Sequence, residues 1–320
     1  MKTLFIDRKN AEIEISRGRL IVRVADRKPS FSIPTRVLEL LVISAPVRFS
    51  STLLSQLTQE NIVAVFINPR KVDACTITTG MLHNDAKRRL WQYQAISNDS
   101  LRLVFARQLM DRKLRLQKAM LGKALSKRPD CRHSLLTGIR RIDKLLQTVP
   151  SVGSVESLRG VEGAAGAAYF EAYQKLFASA LEFNGRNRRP PLDPVNVILS
   201  LSFTLLHAEA VRTLFATGFD PLLGIYHEPT FGRESLACDL VEVFRPLAER
   251  WIWRLFAEET LRPEHFSKEK GPEGMPCMLG KRGREIFYAE YDQRARQWRR
   301  LMRRTSRYWL DQLRLSIGEG

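Results

Sequence analysis

The sequence predicts an α+β protein: a small β-rich N-terminal domain (residues 1–80), a linker (81–93) and a larger all-α domain (94–320). Two observations predict this division. Up to Gly80 the apolar residues alternate or form runs of strand length, whereas beyond Asp85 they recur at helical spacing among many charges. With 320 residues, 44% of them hydrophobic, the chain is long enough and apolar enough to build a core in each domain.

Strand-like segments account for most of the first domain. The predicted strands are residues 3–6, 11–15, 19–24, 38–43 and 62–67. Arg17-Gly18 lies at the turn of a hairpin between the second and third of them. Residues 51–61 instead place three leucines on one face of a short helix, so the first domain is predicted to be a small sheet with one helix.

Amphipathic helices account for the second domain. The predicted helical segments are residues 85–127, 133–148, 161–183, 194–217, 235–258 and 283–316. Loops rich in proline or glycine interrupt them at residues 186–194, 218–232 and 263–280.

The charge of the chain predicts its partner. Lys and Arg number 52 against 34 Asp and Glu, for a formal net charge of +18. Nucleic acid is the expected partner of such a surface, and a membrane is not, because no basic amphipathic stretch stands apart from a core helix. Four cysteines without zinc-site spacing, and an N-terminus without signal-peptide features, predict a cytoplasmic protein.

Motifs of several other reaction classes are absent from the sequence. It contains no GxxxxGK[ST] loop, no GxGxxG after a strand, no GxSxG elbow and no HExxH helix. Nucleotide hydrolysis through a P-loop, dinucleotide chemistry, serine hydrolysis and zinc proteolysis therefore lose their main sequence support.

Three separate stretches offer metal ligands. Glu162 lies between glycines at the predicted start of a helix, His227 lies in a Gly- and Pro-rich loop, and Asp239 and Glu242 share one face of a helix at i, i+3 spacing. Two carboxylates and an imidazole suit Mg²⁺ or Mn²⁺, and a hard cation on a basic protein indicates phosphodiester chemistry.

Each of these residues also has a purely structural explanation. Glu162 in a first helical turn would complement the helix dipole. His227 could be a surface histidine, and Glu242 could form an ion pair with Arg245 or Arg254.

Basic side chains are concentrated in a loop and in the last helix. The residues predicted to contact DNA are Arg186, Arg188, Arg189, Asn196, Arg299, Arg300, Arg303 and Arg304. Nothing in their pattern specifies base recognition, so the expected contacts are with the phosphate backbone.

Several motifs in one order resemble those of the CRISPR-associated integrase and endonuclease family, Cas1. In the first domain the likeness includes Ile33-Pro34 and residues 47–67. In the second it covers the segments 159–165 (RGVEGAA), 188–196 (RRPPLDPVN), 218–221 (GFDP), 224–227 (GIYH) and 232–246 (GRESLACDLVEVFRP).

The resemblance implies a helical catalytic domain whose metal ligands are Glu162, His227 and Glu242, with Asp239 as a further ligand or as a supporting carboxylate. It implies integration of short protospacer DNA into a CRISPR array, by attack of a 3′-hydroxyl on a phosphodiester, and nuclease activity on branched or plain DNA. It also implies a homodimer that assembles with the small Cas2 protein.

Two other functions are compatible with the same residues. A basic architectural protein that binds DNA or branched DNA would keep the carboxylates for structural purposes and would show no metal-dependent joining. A repair nuclease would cleave branched DNA without a Cas2 partner.

Overall fold

The computed structural model describes residues 2–24, 27–68, 71–78, 80, 85–187, 190–268 and 276–318. It confirms the predicted α+β class, with a β-rich N-terminal region and a helical region after it. The predicted hairpin is present with its turn at Arg17 and Gly18, which both have positive φ.

The N-terminal region contains two four-stranded sheets rather than one. Its strands are β1 (Lys2–Ile6), β2 (Ala11–Ser16), β3 (Arg19–Val24), β4 (Arg27–Pro34), β5 (Leu38–Ile43), β6 (Val47–Phe49), β7 (Val63–Asn68) and β8 (Lys71–Thr78). One sheet has the order β1-β5-β7-β8, with β8 antiparallel to an otherwise parallel set. The other has the order β4-β3-β2-β6, and helix α1 (Ser51–Gln59) packs between the sheets.

Strand β5 joins the two cores because it is apolar on both faces. Leu40 and Val42 belong to the core shared with the helices, whereas Leu41 and Ile43 face the core that contains α1. A strand that is covered on both sides reads as an apolar run, and β5 is apolar at every position except Glu39.

Among the described residues of the second region there are seven α-helices and one pair of short antiparallel strands. They are α2 (Ala86–Ile96), α3 (Asp99–Leu125), α4 (Arg132–Thr148), α5 (Val155–Tyr173), α6 (Pro194–Thr217), α7 (Ser235–Ala257), β9 (Phe266–Lys268), β10 (Cys277–Leu279) and α8 (Lys281–Ser316). Residues 86–93 of the predicted linker are thus helical, and the predicted helix 161–183 begins at Val155, where the Ser154 side chain caps it.

Helix α6 is the central helix of this region. Asp193 caps it, Pro194 occupies its first turn, and Gly218 ends it with a φ of 89°. The helix is long and apolar enough to cross a membrane, but 78% of its most apolar window is buried inside the protein, as expected of a core helix.

A buried ionic cluster connects the sheet to the helices. Arg299 of α8 donates to Glu209 of α6 at 2.8 Å, and Arg212 of α6 lies 3.0 Å from Glu39 of β5. Arg299 also donates to Thr3 of β1 and lies 3.9 Å from Glu39. We call Glu39, Glu209, Arg212 and Arg299 the arginine cluster.

Candidate active site

Two predicted site residues meet at one lysine. The Lys113 ammonium group donates hydrogen bonds to Glu162 and, at 2.6 Å, to Glu242 Oε2. These partners lie 49 and 129 residues away along the chain, so α3, α5 and α7 each supply one group. We call Lys113, Glu162 and Glu242 the lysine cluster.

The position of Glu162 excludes one of its structural explanations. Helix α5 begins at Val155, so Glu162 lies two turns inside the helix, beyond the reach of the terminal dipole. The carboxylate is therefore placed by its contacts, since it accepts hydrogen bonds from Lys113 and from the Tyr226 hydroxyl.

The loop that carries His227 is held closely against α2 and α7. Gln92 of α2 donates to the carbonyls of Asp220 and Leu223, both at 2.9 Å, and accepts from the Asp220 amide. A Cβ atom at Gly224 would lie 2.1 Å from the His227 carbonyl oxygen and 2.7 Å from Ser235 Cβ. Only glycine allows the loop to approach the start of α7 this closely.

Asp239 fixes the loop and the His227 ring. Its fully buried carboxylate accepts from the backbone amides of Ile225, Tyr226 and His227 at 2.7–2.9 Å. It also lies 2.6 Å from His227 Nδ1. A carboxylate that accepts backbone hydrogen bonds requires Nδ1–H to be the donor, which leaves Nε2 of the neutral ring as a possible ligand.

Burial and neighbouring charges set the protonation of the site. Burial disfavours the charged form of Glu242, but Arg245 and Lys113 outweigh it and lower the pKa of Glu242 to about 2. Burial likewise opposes the charged form of His227, yet its hydrogen bond to Asp239 prevails and raises the pKa of His227. Burial, together with Glu162, raises the pKa of Tyr226.

Arg245 supports Glu242 from the opposite side. Its Nε lies 2.9 Å from Glu242 Oε1, and its guanidinium group lies 4.6 Å from the centre of the Phe203 ring. The ion pair that was the structural explanation of Glu242 is therefore present, and it leaves Oε2 directed at Lys113.

The donor set fits a divalent cation in its chemistry. Two ionisable carboxylates converge on one positive charge, and His227 is close enough to Glu242 to lower its pKa. In the described part of the chain, no three Asp, Glu, His or Cys side chains are grouped as a bound metal requires. In this arrangement the Lys113 ammonium lies between Glu162 and Glu242.

Two residues of the loop predicted to contact DNA, Arg186 and Asn196, hydrogen-bond within the protein. Asn196 is fully buried and hydrogen-bonds to Asp193, Gly185, Asn187 and Arg186, so its predicted DNA contact is not supported. Arg186 also donates to Ser200, which ties it to α6. Arg188 and Arg189 lie outside the described residues.

The predicted arginines of α8 separate into two kinds. Arg299 is 2% exposed and belongs to the arginine cluster, so in this structure its side chain does not reach the surface. Arg300 and Arg304 are exposed, and the half-buried Arg303 lies 3.8 Å from Glu39. Arg304 faces a cavity of about 880 Å³ whose other walls include Arg112, Val243 and Tyr308, the first two being chain neighbours of Lys113 and Glu242.

Sequence reasoning missed two groups of the site, Lys113 and Tyr226, whereas it named Arg245 as a partner of Glu242. Tyr226 and Arg245 stand inside motifs that the resemblance had singled out, one residue before His227 and three after Glu242. Lys113 had no such signal, because it is one of several basic residues along α3.

Comparison with known proteins gives a consistent result. Residues 4–293 match the family described as CRISPR associated protein Cas1. The CRISPR-associated endonuclease Cas1 1 of Thermodesulfovibrio yellowstonii is 39% identical over 314 residues, which cover 95% of this chain and 94% of that protein.

Solved structures share the fold at lower identity. The Cas1 protein of Thermotoga maritima superposes with a TM-score of 0.82 at 21% identity, covering 99% of this chain and 98% of that one. A casposase bound to its integration product gives a TM-score of 0.82 at 18% identity, covering 98% and 91%. A chain of a Cas6-RT-Cas1–Cas2 complex gives 0.83 at 21%, covering 98% of this chain and 35% of that longer one.

Proposed function

Because the chain belongs to the Cas1 family of CRISPR-associated endonucleases, we propose that it is a metal-dependent DNA integrase and endonuclease of CRISPR adaptation. In this proposal it inserts short protospacer DNA into the CRISPR array by 3′-hydroxyl transesterification. The single observation that carries it is the convergence of Glu162 and Glu242, from two helices, on one cation. The net charge of +18 supports a DNA substrate.

The proposed ligands are Glu162, Glu242 and Nε2 of His227. When bound, Mg²⁺ or Mn²⁺ would polarise the scissile phosphoryl group and lower the pKa of the attacking hydroxyl. Asp239 acts through His227, because it holds the ring in the tautomer that leaves Nε2 available. Arg245 keeps Glu242 ionised throughout the physiological pH range.

Exposed arginines near the site would hold the DNA backbone. Arg304 and Arg112 line the cavity between α3, α7 and α8, where their guanidinium groups can pair with phosphates. We propose that Arg300 and Arg303 extend this surface along α8.

The proposed partners follow from the family and from the neighbouring structures. The solved Cas6-RT-Cas1–Cas2 complex supports a Cas2 partner for this chain, and the casposase with its integration product supports strand transfer on DNA. A homodimer in the cytoplasm is part of the same proposal.

A strand-transfer assay tests this function. A labelled short duplex with free 3′-hydroxyls is incubated with supercoiled plasmid and Cas2, in Mg²⁺, Mn²⁺ or EDTA. Wild type is compared with Glu162→Gln and with Glu171→Gln, which changes an exposed carboxylate on the same helix. We expect label in the plasmid with wild type and Glu171→Gln in metal, and none with Glu162→Gln.

Three results would contradict the proposal. Joining that persists in EDTA would remove the metal from the reaction. Tight plasmid binding without nicking or joining under any condition would favour an architectural DNA-binding protein. Nicking of branched DNA without joining would favour a repair nuclease.

A further inference from the structure

We propose that the Lys113 ammonium is a built-in counter-ion that occupies the cation position of this site, and that a divalent cation must displace it. The inference rests on the proposed function, since it concerns the same two carboxylates. It makes Lys113 an exchangeable occupant of the metal position rather than a member of a static structural ion pair.

Geometry is the first support. Glu162 and Glu242 come from different helices and share a single positive group, to which each is hydrogen-bonded. Lys113 is 8% exposed and Glu242 is 5% exposed. The Glu162 side chain is 24% exposed, so water screens the two carboxylates from each other only in part. Without a cation between them, the two negative charges would repel each other.

Charge balance is the second support. Lys113 and Arg245 together neutralise Glu162 and Glu242. If a divalent cation bound while Lys113 and Arg245 both stayed in place, four positive charges would face the two negative charges of Glu162 and Glu242. Departure of Lys113 reduces that excess, and a DNA phosphate would balance the remainder.

The chemistry of lysine is the third support. An ammonium group is a compact point charge on a flexible four-carbon stem, which can withdraw without moving the helix that carries it.

Metal affinity is the first test. Mn²⁺ binding is measured by the loss of the free-ion EPR signal for wild type, Lys113→Met, Lys118→Met and Glu162→Gln. Lys118 is the matched control, since it lies on the same helix and is also paired with a carboxylate, Asp143. We expect Lys113→Met to bind Mn²⁺ at least about tenfold more tightly, because no ammonium competes for the carboxylates, and Lys118→Met to bind as wild type does.

A measurement on the wild type covers the case in which Lys113→Met does not fold. Amine labelling followed by mass spectrometry reports how accessible each lysine is. We expect Lys113 to be protected in EDTA and labelled faster in saturating Mn²⁺, while labelling of Lys118 stays constant.

The outcomes separate this inference from the proposed function. Equal Mn²⁺ affinity in wild type and Lys113→Met, with binding lost in Glu162→Gln, would overturn the role of Lys113 and leave the function intact. Unchanged protection of Lys113 in saturating Mn²⁺ would have the same meaning. Absence of Mn²⁺ binding in wild type and Lys113→Met alike would overturn both.

Discussion

The lysine cluster and the arginine cluster are built from the same charges but are placed differently in the molecule. Each brings two carboxylates from distant segments to a buried basic side chain. The lysine cluster lies beside the His227 loop, where the Glu162 side chain remains 24% exposed. In the arginine cluster the carboxylates of Glu39 and Glu209 are 5% and 2% exposed, between the sheet and two helices.

The protonation of the two clusters differs accordingly. In the lysine cluster the cations win over burial and lower the pKa of Glu242 to about 2. In the arginine cluster burial wins and raises the pKa of Glu209, although Arg299 and Arg212 oppose it. A carboxylate that stays ionised beside an exchangeable ammonium suits metal binding. Carboxylates enclosed with a guanidinium fork suit a permanent connection between domains.

Breaking the arginine cluster should have the largest effect on stability. Arg299→Met leaves Glu209 and Glu39 buried without their shared cation, so we expect the free energy of unfolding to fall by about 3–5 kcal/mol. Urea denaturation in EDTA and in Mn²⁺ measures it. The loss of unfolding free energy should be the same in EDTA and in Mn²⁺, since no divalent cation enters this cluster. If Mn²⁺ restored the stability of Arg299→Met, the two clusters would not differ in the way described above.

Glu249 is a buried carboxylate for which burial outweighs the nearby cations Arg245 and Lys113. It lies on α7, seven residues after Glu242, and its Oε2 has no hydrogen-bond partner in the described part of the structure. Burial raises the pKa of Glu249 to about 7, in contrast to Glu242 on the same helix. The unfolded chain therefore releases this proton at lower pH than the folded protein does.

This contrast predicts a pH dependence of stability. Wild type should lose stability relative to Glu249→Gln as pH rises from about 4.5 to 7, by on the order of 3 kcal/mol, with no further change above that range. Urea unfolding of both proteins at several pH values tests it. A difference that stays flat across the range would mean that Glu249 keeps an ordinary pKa.

Local signals explain which parts of the fold could be predicted. Helix α6 has the predicted bounds because Asp193, Pro194 and Gly218 mark its ends. The start of α5 was misplaced because Ser154, a cap residue, precedes a stretch with weak helical periodicity. The second sheet was missed because the parallel pairs β1–β5 and β2–β6 join segments that are distant in sequence.

The same reasoning applies to the site. Motifs identified Glu162, His227, Asp239 and Glu242, and the structure brings Glu162 to Glu242 and His227 to Asp239. Arg299 could have been separated from Arg300 by periodicity, because it follows buried Ala295 by four residues and precedes buried Met302 by three. Lys113 could not have been recognised from the sequence, because only tertiary contacts bring it to its partners Glu162 and Glu242.

Asp239 differs from Glu242 within the same site. Its buried carboxylate is stabilised by hydrogen bonds from three backbone amides and His227, whereas that of Glu242 is stabilised by cations. Asp239→Asn keeps the shape but replaces one acceptor oxygen with a donor, so His227 loses its fixed tautomer. We expect Mn²⁺ affinity to fall by about 10–100-fold. Asp220→Asn, in the same loop, should bind Mn²⁺ as wild type does, and equal losses in both variants would indicate general loosening of the loop.

Arg304 is the exposed counterpart of Arg299 on the same helix. Its substitution should have the smallest effect of the changes proposed. If Arg304 pairs with one phosphate, Arg304→Ala should reduce the slope of log affinity against log salt by about 0.9, with unfolding unchanged. Arg282→Ala, at the exposed start of the same helix, is the matched control and should keep the wild-type slope. Fluorescence anisotropy with duplex DNA at several salt concentrations measures both. An unchanged slope for Arg304→Ala would place the DNA path elsewhere than the cavity between α3, α7 and α8.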